Sequence, residues 1–157
     1  MGIGQLAYST IAFMDPVSGP SLASAVFHVD SVDEDPSKVL AQVRDGVDAT
    51  AIETLMDALG VTQQEIARLL GTSLRTVARL RGGKGRMDLR ASDRAARLVR
   101  VFDRAVEVLG NIERARLWLA TPNQALAGNA PRLWLDTDAG TTEVTSLLGR
   151  IEHGIFS

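Results

Sequence analysis

The chain has 157 residues, of which 45% are hydrophobic, and it carries a formal net charge of −2 at neutral pH. It contains no cysteine, which excludes disulfides, thiolate catalysis and cysteine-based zinc sites. Because no apolar run approaches the about 20 residues of a membrane helix and the start lacks the basic flank of a signal peptide, we expect a cytoplasmic protein, with two small cores.

Residues 1–34 give the weakest structural signal, since Gly, Ser and Pro interrupt their short apolar stretches. Residues 25–30 (AVFHVD) are compatible with a short strand or a partner-docking segment. A loose arm is favoured, because chain termini are poorly ordered unless they are tied down. We therefore expect an N-terminal arm that is weakly ordered or contacts a dimer partner.

Two helices follow this arm. Asp35 as N-cap and Pro36 at the first helical position predict a helix that Gly46 closes. A second helix over residues 50–59 carries apolar side chains at helical spacing and ends at Gly60. This second helix is positioned to support the motif that comes next.

The stretch from Thr62 to Arg81 has the pattern of a helix-turn-helix. Thr62 and Glu65 form a capping box at the start of the first helix. Gly71 supplies the left-handed conformation that ends this helix, and Ser73 caps the second one. Two helices joined by a tight turn are therefore predicted here.

The second helix of this motif places Arg75, Thr76 and Arg79 away from the core, where they can reach the edges of bases in double-stranded DNA. An ordinary helical hairpin with a solvated basic face is the alternative. Residues 61–100 carry 10 basic and 3 acidic side chains, whereas residues 1–60 carry 2 and 9. Positive charge concentrated on one motif of an acidic chain favours phosphate binding.

The order TQQEIA, GTS and TV is similar to the Cro and phage-repressor class of helix-turn-helix domains, often called Xre-type. The resemblance implies that Gln63 contacts a phosphate and that Ser73, Arg75, Thr76 and Arg79 face the DNA.

The segment RGGKGR, residues 81–86, breaks the second helix and predicts a basic loop that places Lys84 and Arg86 on the DNA backbone. A nucleotide phosphate-binding loop is the poorer alternative, because its glycine spacing and its Ser or Thr are absent. We assign residues 35–90 to a DNA-binding domain.

The longest predicted helix runs from Ser92 to about Leu109, with charged residues on its outer face that we interpret as solvated. Asn111 caps another helix, which stops before Pro122. Residues 118–157 then predict a small helical unit.

In this unit, Pro122 opens a helix that Gly128 closes, and Pro131 opens a turn or short helix. Gly140 precedes a final helix, which Gly154 terminates. The final helix has one buried stripe, formed by Val144, Leu147, Leu148 and Ile151. The apolar tail beyond it either folds back on the domain or anchors in a partner, and physical reasoning alone favours folding back.

The series WL, PNQALAG, P, LDT, G, V and LLGRIEHGIFS resembles the C-terminal toxin-binding domain of bacterial antitoxins of the Xre, MbcA and ParS type, with Ala127 where a second Gly is frequent. This resemblance implies that residues 91–157 bind a RES-type toxin, an enzyme that consumes NAD, and cover its active site. Carried over by position, the inhibitory residues are Arg150, Glu152, His153, Gly154, Ile155, Phe156 and Ser157. It also implies an antitoxin homodimer, alone or with toxin, that represses its own operon.

We therefore predict an all-α, two-part antitoxin, with a stand-alone helix-turn-helix regulator as the alternative. An enzyme is disfavoured, because the chain has only two histidines and no triad or metal-ligand spacing. The sequence predicts no cofactor, no metal site and no membrane association.

Overall fold

The structure is a computed structural model that describes residues 20–154. This part of the chain is all-helical, as predicted, with two isolated β-bridges and no sheet. Its helices are α1 (Leu22–Phe27), α2 (Pro36–Asp45), α3 (Ala51–Leu59), α4 (Gln63–Leu70), α5 (Leu74–Arg81), α6 (Leu89–Leu109), α7 (Ile112–Ala120), the 3-10 helices η1 (Gln124–Leu126) and η2 (Pro131–Trp134), and α8 (Asp138–Glu152). None of these helices is both long enough and apolar enough to cross a membrane.

The long helix α6 is the centre of the fold. It contacts α1, α2, α3 and α4 on the N-terminal side and α7 and α8 on the C-terminal side. Its inner face buries Leu98, Phe102 and Ala105 almost completely. The buried apolar side chains of the described residues form one connected cluster, not the two small cores that we expected. The reason is that α6 runs without a break through both halves and gives each of them part of its apolar surface.

Helix α6 begins three residues earlier than predicted. Its N-cap is Asp88, whose carboxylate accepts a hydrogen bond from the backbone N–H of Ala91 at 2.8 Å. Ser92, predicted as the first residue of the helix, is fully buried inside it, and its hydroxyl accepts from the N–H of Val47 at 2.9 Å. The hydroxyl of Ser92 thus bonds a distant segment from inside the helix, and the predicted start was three residues too late.

The predicted loose arm is ordered from Ser21 onward. The Ser21 side chain caps α1, and Leu22, Val26 and Phe27 are buried against α3 and α6. Residues 25–30 therefore end a helix instead of forming a strand or a free segment. The prediction was wrong here because a helix of six residues is too short to show a clear apolar period. The part of the arm before residue 20 lies outside the described residues.

The carboxylate of Asp103, on α6, fixes α1 in place. Its two oxygens accept hydrogen bonds from the backbone N–H groups of Leu22 at 2.7 Å and Ala23 at 2.8 Å. Burial raises the pKa of Asp103 to about 6, although both hydrogen bonds favour the ionised form.

Gly140 lies in the first turn of α8. The sequence instead predicts that it precedes this helix. Thr137 is the N-cap, and its hydroxyl accepts from the N–H of Gly140 at 3.0 Å. A Cβ added to Gly140 would lie 1.9 Å from the carbonyl oxygen of Trp134. The glycine therefore lets α8 pack directly on the backbone of η2.

The turn after Pro122 also differs from its prediction. Asn123, and not Pro122, caps the short helix η1. Ala127 follows η1 with a left-handed backbone, φ 54°. The left-handed region costs an L-residue about 1 to 2 kcal/mol, so this conformation favours a glycine at the position that Ala127 occupies.

Candidate DNA-contacting and toxin-binding surfaces

The helix-turn-helix has the local geometry that its residues predict. The Thr62 hydroxyl accepts from the N–H of Glu65 at 3.2 Å, and the Glu65 carboxylate accepts from the N–H of Thr62 at 2.8 Å. Gly71 ends α4 with φ 67°. Ser73 caps α5 by accepting from the N–H of Thr76 at 3.1 Å. Capping box, turn and second cap are all confirmed.

The side chains predicted to face DNA lie on the outside of this motif. Gln63, Ser73, Arg75 and Arg79 are exposed, whereas Thr76 is half-buried beside the Ser73 hydroxyl. The guanidinium groups of Arg75 and Arg79 make no ion pair or hydrogen bond with any residue between 20 and 154. Both guanidinium groups are therefore available to an external acceptor.

The basic loop after α5 is fixed to the segment between α2 and α3. The backbone N–H of Met87 donates to the carbonyl of Val47 at 2.8 Å. Lys84 is exposed, but the guanidinium of Arg86 donates to the carbonyl of Gly46 at 3.0 Å. Arg86 thus has a structural contact that the sequence did not predict, whereas Lys84 projects from the loop.

Three further arginines, for which the sequence predicts no role, lie in the last turn of α4 and at the start of α6. A Cβ added to Gly71 would lie 2.6 Å from Nη1 of Arg94, on α6, so the guanidinium of Arg94 packs over the turn. Arg68, three residues before Gly71, and Arg90, four residues before Arg94, are exposed. The contact of α4 with α6 brings the start of α6 beside the motif, and sequence distance concealed this.

The last turn of α8 forms the C-terminal end of the described structure. Arg150 is half-buried, and its Nε is buried without a hydrogen-bond partner among the described residues. Glu152 forms an ion pair with Arg104 of α6, and His153 is exposed. Gly154 ends the helix with φ 69°, as predicted. The three remaining tail residues of the predicted site, Ile155 to Ser157, lie outside the described residues.

Two protein families match the two parts of the chain. Residues 38–100 match the antitoxin Xre-like helix-turn-helix domain. Residues 104–154 match the antitoxin Xre/MbcA/ParS C-terminal toxin-binding domain. The change from one to the other falls inside α6.

Comparison with individual proteins decides the family. A protein named antitoxin Xre, from Photorhabdus laumondii subsp. laumondii, is 35% identical over 118 residues, which are 74% of this chain and 80% of that protein. The chain belongs to the Xre family of antitoxins. Antitoxin Xre of Yersinia enterocolitica is also 35% identical, over 116 residues that cover 73% of this chain and 78% of the relative.

A solved structure supports the same Xre assignment. It is the crystal structure of the M. tuberculosis MbcT-MbcA toxin-antitoxin complex, in which one chain is 27% identical to this one, with a TM-score of 0.51. The match covers 69% of this chain and 96% of that chain. These findings confirm the prediction that the chain is an Xre-type antitoxin with a helix-turn-helix domain and a toxin-binding domain. The two relatives compared above are both named antitoxin Xre.

Proposed function

We propose that this Xre-family chain neutralises a RES-type, NAD-degrading toxin by covering the toxin's active site with the end of α8 and the tail beyond it. The observation that carries the proposal is the match of residues 104–154 to the toxin-binding domain, which reaches the last turn of α8. That turn presents exposed Glu152 and His153 beside the half-buried Arg150.

The chemistry of this end suits a nucleotide pocket. A pocket for a dinucleotide holds phosphates and aromatic rings, so it offers cationic groups and apolar walls. The end of this chain brings a carboxylate, an imidazole and, in Phe156, an aromatic ring. Because α8 ends before Gly154, contact between residues 155–157 and a partner requires no loss of this helix.

Deletion of Gly154 to Ser157 tests this proposal. The toxin to use is the product of the gene adjacent to this one. We expect NAD turnover by the toxin to reappear, while the melting temperature of the free antitoxin stays unchanged. Phe156→Ala should weaken inhibition by about 30-fold or more, since aromatic anchors commonly contribute at least about 2 kcal/mol. Unchanged inhibition by both variants would assign neutralisation to another surface.

We further propose that the chain acts in the bacterial cytoplasm as a homodimer that represses its own operon by binding double-stranded DNA. A single recognition helix reads only a few base pairs, so two copies on an inverted repeat supply the missing affinity. The proposed contacts are Gln63, Ser73, Arg75, Thr76 and Arg79 from the motif, and Lys84 and Arg86 from the basic loop. The exposure of Arg75 and Arg79, whose guanidinium groups have no partner among residues 20–154, supports this assignment most directly.

The DNA contacts are tested with the duplex immediately upstream of the coding sequence. Arg75→Ala combined with Arg79→Ala should abolish sequence preference, because each bidentate contact to guanine is worth about 1 to 3 kcal/mol. Lys84→Ala should weaken binding to all sequences. It should also reduce the salt slope, the slope of log affinity against log salt concentration, by the amount that corresponds to about one phosphate contact. Arg114→Ala is the matched control, since Arg114 is an exposed arginine of α7, outside the motif. Wild-type mobility shifts by the double variant would remove α5 from the interface.

A further inference from the structure

Two arginines of the toxin-binding half reach into the helix-turn-helix half. The first is Arg116 of α7, whose guanidinium donates to the backbone carbonyls of Asp57 at 2.5 Å and Ala58 at 3.2 Å. The stem of the same side chain covers Gly60, so that an added Cβ there would lie 3.1 Å from Cδ of Arg116. Arg116 therefore satisfies carbonyls that the end of α3 leaves without helical partners.

The second is Arg132 of η2, which contacts both sides of the junction between α3 and α4. Its Nη1 donates to the carbonyl of Gly60 at 3.3 Å, and its Nη2 lies 3.2 Å from Oε1 of Glu65. The side chains of Arg132 and Glu65 are only 25% and 26% exposed, so water screens their attraction less than that of an open surface pair.

Glu65 uses its two carboxylate oxygens for different purposes. Oε2 closes the capping box with Thr62, and Oε1 faces Arg132. The hydrogen bond from the backbone of Thr62 lowers the pKa of Glu65 most strongly, and the charge of Arg132 lowers it further. The carboxylate that starts α4 is therefore ionised and held from both sides, two residues after Gln63.

The other end of this connection is rigid as well. Helix η2 packs on α7 and α8, and the absence of a side chain at Gly140 puts the backbone of α8 directly against that of η2. The path from the toxin-binding helix α8 to the first turn of α4 thus consists of one backbone contact and one side chain, Arg132.

From this geometry we infer that Arg132 is a positioning residue for DNA binding. It holds the first turn of α4, and with it Gln63, in the orientation that a phosphate requires. The inference rests on the proposed DNA-binding function. It assigns to a residue of the toxin-binding half a share of the scaffold of the DNA-contacting half, although Arg132 is not among the side chains that face the DNA.

Three variants test the inference in the full-length chain. Arg132→Gln removes the charge that faces Glu65, and Glu65→Gln removes the partner charge but keeps a capping-box residue, since Gln also serves at that position. The third variant combines both changes. Arg114→Gln is the control, because it makes the same substitution at an exposed arginine of the toxin-binding half.

The first measurement is amide hydrogen exchange without DNA. If Arg132 holds the start of α4, Arg132→Gln should speed exchange at Glu65 and Ile66 about fivefold, while amides of α8 and the Arg114→Gln control keep their wild-type rates. A uniform change of all amides, or no change at Glu65 and Ile66, would overturn the inference.

The second measurement is the affinity for the duplex upstream of the coding sequence as a function of salt. We expect Arg132→Gln to bind about fivefold more weakly with an unchanged salt slope, because the contact that it disturbs is made by the uncharged Gln63 and no cationic contact to a phosphate is lost. The double variant should bind no more weakly than the worse single variant. A slope reduced by about 0.9 would make Arg132 a direct phosphate contact and overturn the positioning role. Failure of the wild-type chain to bind the duplex would refute the DNA-binding proposal itself, while the exchange data would still decide whether Arg132 holds α4.

Discussion

We predict that replacing glycine by alanine has opposite effects on stability at two positions of α8. Gly140 is buried against η2, and an added Cβ would lie 1.9 Å from the carbonyl oxygen of Trp134. Gly149 lies nine residues, or about two and a half turns, further along α8, and an added Cβ would meet nothing within 4 Å. Gly140→Ala should therefore destabilise the protein, and Gly149→Ala should stabilise it.

The expected loss of stability in Gly140→Ala follows from the distance by which α8 and η2 must separate. Real Cβ atoms essentially never approach closer than 3.0 Å, so α8 and η2 would have to separate by about 1 Å. The obstacle is backbone, which has no rotamer to change. Overpacking costs about 1 to 3 kcal/mol where side chains can adjust, and we expect about 3 kcal/mol or more here. At Gly149 the gain is the helix propensity of Ala over Gly, about 0.5 to 1 kcal/mol.

Thermal and urea unfolding of the two variants provide the assay. For a chain of this size about 1 kcal/mol changes the melting temperature by roughly 2 to 4 °C. We expect a decrease of about 10 °C for Gly140→Ala and an increase of about 2 °C for Gly149→Ala. Equal or higher stability of the Gly140→Ala variant would mean that α8 does not pack on η2 as described, and would also remove the rigid path from α8 to Arg132.

Two further predictions concern a strained residue and a buried carboxylate. Ala127→Gly should raise the free energy of unfolding by about 0.5 to 1 kcal/mol, because it relieves the strain of an alanine in the left-handed conformation. The greater flexibility that glycine gives the unfolded chain offsets part of this gain. A lower melting temperature of the variant would contradict the prediction. Burial raises the pKa of Asp103 to about 6 from 3.8, so the folded state binds this proton more tightly than the unfolded state. The stabilisation from this proton is complete below about pH 4 and is lost as the pH rises through 6, with a maximum of about 3 kcal/mol. Urea unfolding at pH 4.5 and 7.5 should show this loss in the wild type and not in Asp103→Asn, and equal pH dependence of the two proteins would refute it.

Local signals in the sequence were sufficient for most of the helix-turn-helix. The capping box of Thr62 and Glu65, the left-handed Gly71 and the cap at Ser73 each depend on residues within three or four positions of one another. The exposure of Arg75 and Arg79 follows from the helical period once the ends of α5 are fixed. Such features depend on local chemistry that the sequence shows directly.

The features that the sequence did not predict correctly depend on contacts between residues far apart in the chain. Ser92, predicted as the first residue of the long helix, lies inside it and bonds the backbone of Val47, 45 residues away. Helix α1 is held by Asp103, about eighty residues away. The ion pair between Arg132 and Glu65 joins positions in two separately matched domains. A single sequence contains no period or motif that reports these contacts.

The continuous helix α6 limits how this protein can evolve new partners. Both halves pack on one helix and share one interior, so recombination that joins the helix-turn-helix half of one antitoxin to the toxin-binding half of another would bring together two unmatched faces of α6. Under the proposed function, a new toxin or a new operator is more accessible through substitutions at the proposed surface contacts, such as Arg75 or His153, that leave the interior of α6 unchanged. The two specificities can then diversify independently, while the helix that carries them is inherited as one piece.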